Sequence, residues 1–412
     1  MEHRRLQDRA AHLEPRDRAA RRGAQRAVRD RRLPRDRGRH PQRRRRAGDR
    51  GAARRAVSVA VSLRTAIPAT PASAPRPRRR TVSAIAVLLF ALVGSVVAAV
   101  AIGPADITPT ELVASVWSHL TGSASGLTPI RDAIIWEGRV PRVLTAAAVG
   151  GGLALCGAVM QALTRNPLAD PYLLGLSSGA STGAVIVIVL GAAVALPFAA
   201  FAGALLALAL TLGLARAAGS AGSTAVVLAG LAVSAVLAAL TSLVIFWSAT
   251  NDSYREILSW LLGSLGGAGW AEAALAGVAV AVCAIPLLAS ARPLDSLVLG
   301  DTAAEALGVP VTRVRVLLFV CTALLTGALV AVSGSIGFVG LILPHAVHAA
   351  VGARHRALLP VSLLAGAVFL IWADTIARTV FEPRELPVGI VTALIGGPVF
   401  AVLMLRMRKS RP

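Results

Sequence analysis

The chain contains 412 residues, of which 55% are hydrophobic and only 16% are charged. Ordinary soluble domains carry about 25% charged residues, so this composition argues against a soluble domain and for a membrane protein. The formal net charge of +22 would by itself suggest a nucleic-acid-binding protein, but most of the basic residues lie in one terminal segment. Residues 1–80 hold 26 arginines and 7 acidic residues, whereas the remaining 332 residues hold 17 basic and 14 acidic ones. The hydrophobic body is therefore nearly neutral, and we predict no nucleic-acid partner.

The basic segment, residues 1–80, is rich in Arg, Ala and Asp and almost lacks aromatic and β-branched residues up to about Ala56. Such a composition cannot bury a core, so we predict disorder here and a separate membrane domain over residues 81–412. One interpretation is a basic arm that binds anionic lipid or nucleic acid. The favoured one is an upstream region read in the wrong frame, with the true start near Val57–Val61, because Lys409 is the only lysine among the forty-three basic residues.

Ten apolar runs predict ten membrane-spanning helices, since a span needs about 20 predominantly apolar residues. Pro171–Ala215 is uncharged for forty-five residues, which is too long for one helix, and Gly191 and Pro197 mark a break between two spans. The predicted spans are Thr81–Ala105, Val143–Thr164, the two parts of Pro171–Ala215, Ser223–Trp247, Ala273–Ala291, Val316–Val332, Ile336–Ala350, Leu358–Ala373 and Leu386–Leu405.

Three segments between the spans are predicted to lie at the membrane surface. Asp106–Glu137 is polar and contains one weakly amphipathic piece, Leu112–Leu120. Ile257–Trp270 is apolar but too short for a span, so we predict an interfacial or re-entrant helix there. Arg292–Arg315 has an apolar side with acidic residues opposite, which predicts one or two short amphipathic helices.

The distribution of arginine predicts that both termini lie in the cytoplasm. With ten spans, the cytoplasmic segments after residue 75 would hold fifteen Lys or Arg residues and the extracytoplasmic segments six, which is the bias that the positive-inside rule requires. The six arginines on the outer side need another reason. They are Arg131, Arg139, Arg142, Arg255, Arg378 and Arg384.

Two blocks of short motifs carry a resemblance to a known family. The first contains R-V-P-R from residue 139, G-A-V-M-Q from 157, N-P-L-A-D-P from 166 and L-G-L-S-S-G-A from 174. The second contains GSIGFVGLILP over Gly334–Pro344, ELPVG over Glu385–Gly389 and GGPVF over Gly396–Phe400. In order and spacing, from about Thr81 to the C-terminus, the chain resembles the FecCD-type permeases. Those proteins are the membrane subunits of ABC importers for iron–siderophores, haem and cobalamin.

The resemblance implies a docking role for three of the outer arginines. Arg139, Arg142 and Arg378 match arginines that meet glutamates of a periplasmic or lipid-anchored substrate-binding protein. Exposed guanidinium groups bind carboxylates through paired hydrogen bonds, which suits that role. The alternative is interfacial snorkelling at span ends. Asp374 is interpreted as an outer anchor or as a partner of Arg378, four residues later.

The resemblance also implies a gate on the cytoplasmic side. Asn166 and Leu168, in the proline-broken loop Arg165–Asp170, match part of the family's cytoplasmic gate. Ser223 and Thr224 resemble a second gate element. Small hydroxyl residues at the start of a helix are equally explained by capping or packing, and both interpretations stay open here.

A separate ATPase subunit is the predicted source of energy, since no GxxxxGK[ST] motif occurs in the chain. The segment Leu299–Val309 resembles the coupling helices that sit in a groove of that subunit, or it is a surface helix packed on its own protein. The residues that the resemblance assigns to coupling are Leu299, Gly300, Ala304, Leu307 and Gly308.

Neither the histidines nor the cysteines predict a metal or a cofactor. His345 and His348 lie three residues apart, but no third ligand is nearby and no HExxH motif occurs. FecCD-type permeases usually have arginine where His348 stands, so this position departs from the family pattern. Cys156, Cys283 and Cys321 lie singly in apolar spans and are interpreted as small hydrophobic fillers.

We therefore predict an all-α polytopic membrane protein resembling a type II ABC importer permease, with no catalytic residue. It would import an iron–siderophore or a related chelate through the cytoplasmic membrane. Its partners would be an ABC ATPase, a substrate-binding protein, membrane lipid and a second permease subunit, identical or related. An ion-coupled secondary transporter is the alternative, which the absence of charge at the predicted span centres disfavours.

Overall fold

The computed structural model describes residues 77–103, 105–192, 196–219, 222–248, 250–382 and 384–409. Within these ranges every regular element is helical, and the prediction of an all-α protein is confirmed. The disorder and the start site predicted for the basic segment lie outside the described residues, except for its last four.

Fifteen α-helices occur in the described ranges, with one π-helical turn at Ile134–Arg139 and one 3₁₀ turn at Pro171–Leu174. The α-helices, in chain order, are α1 Pro77–Ala101, α2 Pro109–Thr121, α3 Pro129–Ala133, α4 Val140–Thr164, α5 Leu176–Val189, α6 Leu196–Ala217, α7 Ser223–Ser248, α8 Asn251–Leu261, α9 Trp270–Ala289, α10 Ala291–Val298, α11 Asp301–Ala306, α12 Val311–Ser333, α13 Val339–Val351, α14 His355–Thr379 and α15 Val388–Lys409.

Every predicted span contains a helix, but the count of ten is not confirmed. Among the described residues, seven helical segments are long and apolar enough to cross a membrane. Three further apolar helices are shorter, namely α5, α13 and the apolar part of α15, Val388–Val402. Ten spans therefore stay a prediction.

The interfacial helix predicted over Ile257–Trp270 is wrong in its second half. Helix α8 covers Asn251–Leu261, and residues 262–269 are not helical. Gly263 takes the left-handed conformation, with φ of 77°. Three more glycines follow within six residues, and glycine is the poorest helix former after proline. This stretch packs against the end of α12 and the residues after it: the Ser264 backbone NH donates to the Ser333 carbonyl at 2.9 Å, and a methyl group at Gly263 would lie 2.7 Å from the Ser335 carbonyl oxygen.

Helix α4 is the centre of the bundle. Most of its residues are buried, and it packs against α9, α12, α13 and α14. Two crossings bring backbone against backbone. A methyl group at Gly150 would overlap the carbonyl oxygen of Gly366 on α14, and one at Gly157 would overlap that of Gly340 on α13. Small residues permit this approach in membrane helices, where packing rather than the hydrophobic effect holds helices together.

We expect Gly157→Ala to reduce the yield of folded protein, because the added methyl group cannot fit without separating α4 from α13. The matched control is Gly277→Ala in α9, where a methyl group would meet no atom within 4 Å. That change should be neutral or slightly stabilising, since alanine favours a helix over glycine by about 1 kcal/mol. The measurement is the monodisperse fraction in detergent after a heating series. Equal loss for both variants would contradict the close-packing argument.

Candidate functional site

A cluster of charged residues, the arginine cluster, lies at the N-terminal end of α4. It consists of Arg139, Arg142, Asp374, Arg378 and Glu385. The Arg142 guanidinium donates to Asp374 from Nε at 3.0 Å and from Nη2 at 2.9 Å, and to Glu385 from Nη1 at 2.8 Å. Arg378 Nε lies 3.9 Å from Asp374 Oδ2, so the predicted pairing four residues apart is present but weaker. Arg142 is the main partner of Asp374.

The other two arginines of the cluster bind the end of α1. Arg139 donates to the carbonyl groups of Val100 at 2.8 Å and Ala101 at 3.0 Å, and Arg378 donates to the carbonyl group of Ala99. The last carbonyls of a helix lack intrahelical partners and carry partial negative charge, so a cation stabilises them. Both side chains are buried in doing so.

These contacts bear on the docking hypothesis for Arg139, Arg142 and Arg378. The three arginines line one open cavity of about 430 Å³ together with Glu137 and Glu385. The structure thus brings them together on one surface, as the hypothesis requires. Most of their donors, however, are already used inside the protein. A partner carboxylate would reach Arg142 most easily, where the exposed Glu385 now sits. Docking stays a prediction.

The loop that joins α4 to the 3₁₀ turn, residues 165–170, is called the elbow loop. Arg165 ends α4 in a left-handed conformation with φ of 50°. Asn166 Oδ1 accepts from the Leu168 backbone NH at 3.0 Å, and the Ala169 NH donates to the Asn166 carbonyl at 3.1 Å. Both gate candidates, Asn166 and Leu168, are exposed at the tip of this tight turn.

The far end of the elbow loop is fixed to the bundle. Asp170 accepts from the Tyr172 NH at 2.8 Å, and burial raises the pKa of this carboxyl to about 6. The Tyr172 hydroxyl donates to the Ile336 carbonyl at 3.0 Å and accepts from the Ile336 NH at 3.2 Å. The sequence analysis missed Tyr172, because nothing in its neighbours signals a partner 164 residues away.

The second pair of gate candidates, Ser223 and Thr224, forms the first turn of α7. Further along, α7 touches the 3₁₀ turn, because a methyl group at Gly230 would overlap the carbonyl oxygen of Leu173. The 3₁₀ turn that follows the elbow loop is thus in backbone contact with α7, seven residues after the start of that helix. Their role as a gate stays a prediction.

The amphipathic segment, residues 291–308, forms the two short helices α10 and α11, with Gly300 between them and Gly308 after them. Both glycines have positive φ, of 108° and 80°. Of the residues assigned to coupling, Leu299 and Leu307 are 69% and 65% exposed, whereas Ala304 is completely buried. The segment therefore presents two leucines outward and packs on the bundle through its buried residues Ala291, Leu294, Leu297 and Ala304.

Two ion pairs hold the amphipathic segment. His355 Nδ1 and the His355 backbone NH both donate to Asp295 Oδ1, at 2.6 and 3.0 Å. Arg315 Nη2 donates to Asp301 Oδ1 at 2.7 Å, and Arg165 Nη2 lies 3.8 Å from the same oxygen. The hydrogen bond from Arg315 lowers the pKa of Asp301, so this carboxylate is ionised at neutral pH.

A model of the FecCD transport family matches residues 88–406, which is most of the chain. The chain belongs to the FecCD transport family. The family consists of transport permeases, so the protein is a multi-pass membrane protein of that class.

Individual relatives agree with the family match. The FecCD chain is 41% identical over 296 residues to YvrB, an uncharacterised ABC transporter permease protein of Bacillus subtilis, covering 70% of this chain and 83% of that protein. It is 41% identical over 282 residues to the vitamin B12 import system permease protein BtuC of Citrobacter koseri, covering 68% and 84%. It is 41% identical over 300 residues to the hemin transport system permease protein HmuU of Yersinia pestis, covering 69% and 87%.

A solved structure shares the architecture of the FecCD chain. It is an inward-facing conformation of a metal-chelate type ABC transporter, with a TM-score of 0.68 and 33% sequence identity. The alignment covers 78% of this chain and 98% of that one.

A second cavity, of about 420 Å³, lies beside the elbow loop. His345, His348 and His355 line it, together with Arg165 and Asn166 of the elbow loop. Among the described residues, no three His, Cys, Asp or Glu side chains are arranged to hold a metal ion. Cys156, Cys283 and Cys321 are free thiols.

We expect Asp374→Asn to destabilise the FecCD chain by about 3–5 kcal/mol, because it leaves the charge of Arg142 buried without its main partner. The matched control is Glu385→Gln, which removes the half-exposed partner of the same arginine and should cost about 0–1 kcal/mol. Thermal unfolding in detergent compares the two. Equal unfolding midpoints for both variants would show that the Arg142–Asp374 pair stabilises the protein no more than the Arg142–Glu385 pair does.

Proposed function

We propose that this FecCD protein is the permease subunit of an ABC importer that carries an iron–siderophore, or a related chelate such as haem or cobalamin, into the cytoplasm. Its relatives BtuC and HmuU are named for vitamin B12 and hemin import. A substrate-binding protein would deliver the chelate, and a separate ATPase would drive it through a path between two permease subunits. Both termini would lie in the cytoplasm.

The amphipathic segment carries the proposal. Leu299 and Leu307 are exposed on a short structure that is anchored to α14 through Asp295 and to α12 through Asp301. A fixed element with outward leucines suits a groove on a soluble partner, in the manner of helix-in-groove recognition. The ATPase is the partner that an ABC permease requires for energy, since the chain has no phosphate-binding loop of its own.

The ion-coupled alternative lacks a comparable feature. Proton- or ion-coupled carriers place ionisable residues inside the membrane, facing the path. The acidic and basic residues classed as buried among the described ones all lie within a few residues of a helix end. They are Arg139, Arg315, His355, Asp374 and Arg378.

Proteoliposomes that contain the permease, the ATPase and the binding protein test the function directly. Uptake of a labelled iron–siderophore should require hydrolysable ATP and should survive ionophores that abolish ion gradients. Parallel assays with haemin and cobalamin identify the chelate. Uptake that ionophores abolish and that proceeds without ATP would establish the ion-coupled alternative.

We expect Leu307→Asp to abolish most stimulation of the ATPase, because it places a charge in an apolar contact. Val113→Asp is the matched control: Val113 is 65% exposed, as is Leu307, but it belongs to α2 in the predicted outer segment. That variant should insert and stimulate normally. ATP hydrolysis by the reconstituted complex, at equal amounts of inserted permease, is the measurement. Normal stimulation by Leu307→Asp would remove this segment from the ATPase contact.

The docking role of the arginine cluster needs a test that leaves its buried pairs intact. Arg142 cannot be reversed cleanly, because Asp374 would then be buried without its main partner. Glu385→Lys avoids this problem, since it removes the exposed carboxylate and adds a positive charge beside Arg142.

If acidic side chains of the binding protein dock here, Glu385→Lys should raise its affinity at low salt by up to roughly five-fold, the upper range for one exposed ion pair. The gain should shrink as salt screens the charges. Glu256→Lys, an exposed position on α8, is the control. Binding of the cognate binding protein to the reconstituted permease is measured. An unchanged affinity would exclude docking of the binding protein at the arginine cluster, whose role would then be only to hold the end of α1.

A further inference from the structure

One carboxylate joins three segments at the cytoplasmic side of the proposed topology. Asp301 is the first residue of α11, Arg315 lies in the second turn of α12, and Arg165 ends α4 at the start of the elbow loop. The two arginines approach the same oxygen, Asp301 Oδ1. No local pattern in the sequence indicates this junction, because Arg165 precedes Asp301 by more than a hundred residues.

The two ion pairs of this junction differ in strength. Arg315 is 8% exposed and donates to Asp301 at 2.7 Å, so this pair is fixed within the protein. The Arg165 side chain is 46% exposed and its pair with Asp301 is 3.8 Å long. Exposed pairs contribute little stability, so the contact between Arg165 and Asp301 can break and re-form at small cost.

The Arg165 guanidinium also lies against the backbone of the amphipathic segment. A methyl group at Gly300 would be 3.4 Å from Arg165 Nη1. Arg165 Nη1 therefore lies near the junction between α10 and α11. In the chain, Arg165 is followed by residues 166–169, whose turn is closed by two internal hydrogen bonds.

We propose that Asp301 is a positioning residue that transmits movement of α11 to the elbow loop through Arg165. The inference rests on the proposed function, in which the ATPase contacts Leu299 and Leu307 and the elbow loop closes the path. A shift of α11 moves Asp301 together with its partner Arg315 on α12, and this movement makes or releases the longer pair with Arg165. The position of Leu168 then follows the state of the ATPase.

Arg165→Gln is the primary test variant, because it removes the exposed partner and leaves the 2.7 Å pair between Asp301 and Arg315 in place. The readout is the amount of substrate taken up per ATP hydrolysed by the complete reconstituted complex. We expect stimulated ATP hydrolysis to change less than about two-fold while uptake falls at least about five-fold, within the range of coupling between sites. Arg165→Lys should recover at least half of the lost uptake, since it restores the charge.

The control is Arg313→Gln, an exposed arginine two residues before Arg315 on α12. It should leave the ratio of uptake to hydrolysis unchanged. Asp301→Asn should lower that ratio at least as much as Arg165→Gln does, because it removes the contact with Arg165 and also weakens the pair with Arg315. The double variant should fall no further than the lower of the two single variants, because both changes remove the contact between Arg165 and Asp301.

An unchanged ratio in Arg165→Gln would overturn the inference, as would losses that add in the double variant. A parallel fall of hydrolysis and uptake in Arg165→Gln would show a structural role only and would also overturn it. Absence of ATP-driven uptake by the unaltered complex refutes the proposed function, and this inference with it.

Discussion

The crossings of α4 with α14 and α13 leave no room for side chains at Gly150, Gly157, Gly340 and Gly366. Backbones that approach this closely fix the angle and register of three helices at once. Because the core around α4 is formed by contact rather than by the exclusion of water, its stability depends on shape. Helix α4 also positions the arginine cluster and the junction at Asp301, because Arg142 lies at its N-terminal end and Arg165 at its C-terminal end.

The two ends of α4 use arginine in opposite ways. At the N-terminal end, Arg142 is enclosed by Asp374 and Glu385, and Arg139 and Arg378 satisfy carbonyl groups of α1. These contacts are short and largely buried, so this end is held firmly. At the C-terminal end, Arg165 is half exposed and makes one long ion pair. The bundle is therefore rigid where it would receive a binding protein and adjustable where it would meet an ATPase.

The sequence predicts the elements of this protein better than the partners of its side chains. Apolar runs predict where the helices lie, and Gly300 and Gly308 predict where α11 begins and ends. Both predictions succeed because the position and the ends of a helix depend on residues that are close in the sequence. The bond between Arg142 and Glu385 joins residues 243 positions apart, and no local pattern contains it. Arg139 and Arg378 were expected at an exposed surface, but their burial depends on where α1 ends. The sequence analysis predicts helix over residues 262–269 because the stretch is apolar, but its four glycines disfavour a helix.

The contacts that hold α1 also have a consequence for synthesis of the protein in the cell. Trp372 Nε1 donates to Ser95 Oγ at 3.0 Å, and Arg378 binds the Ala99 carbonyl group across a separation of 279 residues. Helix α1 is translated long before α14, so Ser95 and Ala99 lack these two partners until α14 has been made. In a chain that ends before α14, the end of α1 would keep only the hydrogen bonds from Arg139. The attachment of the first helix is therefore complete only when one of the last helices is in place.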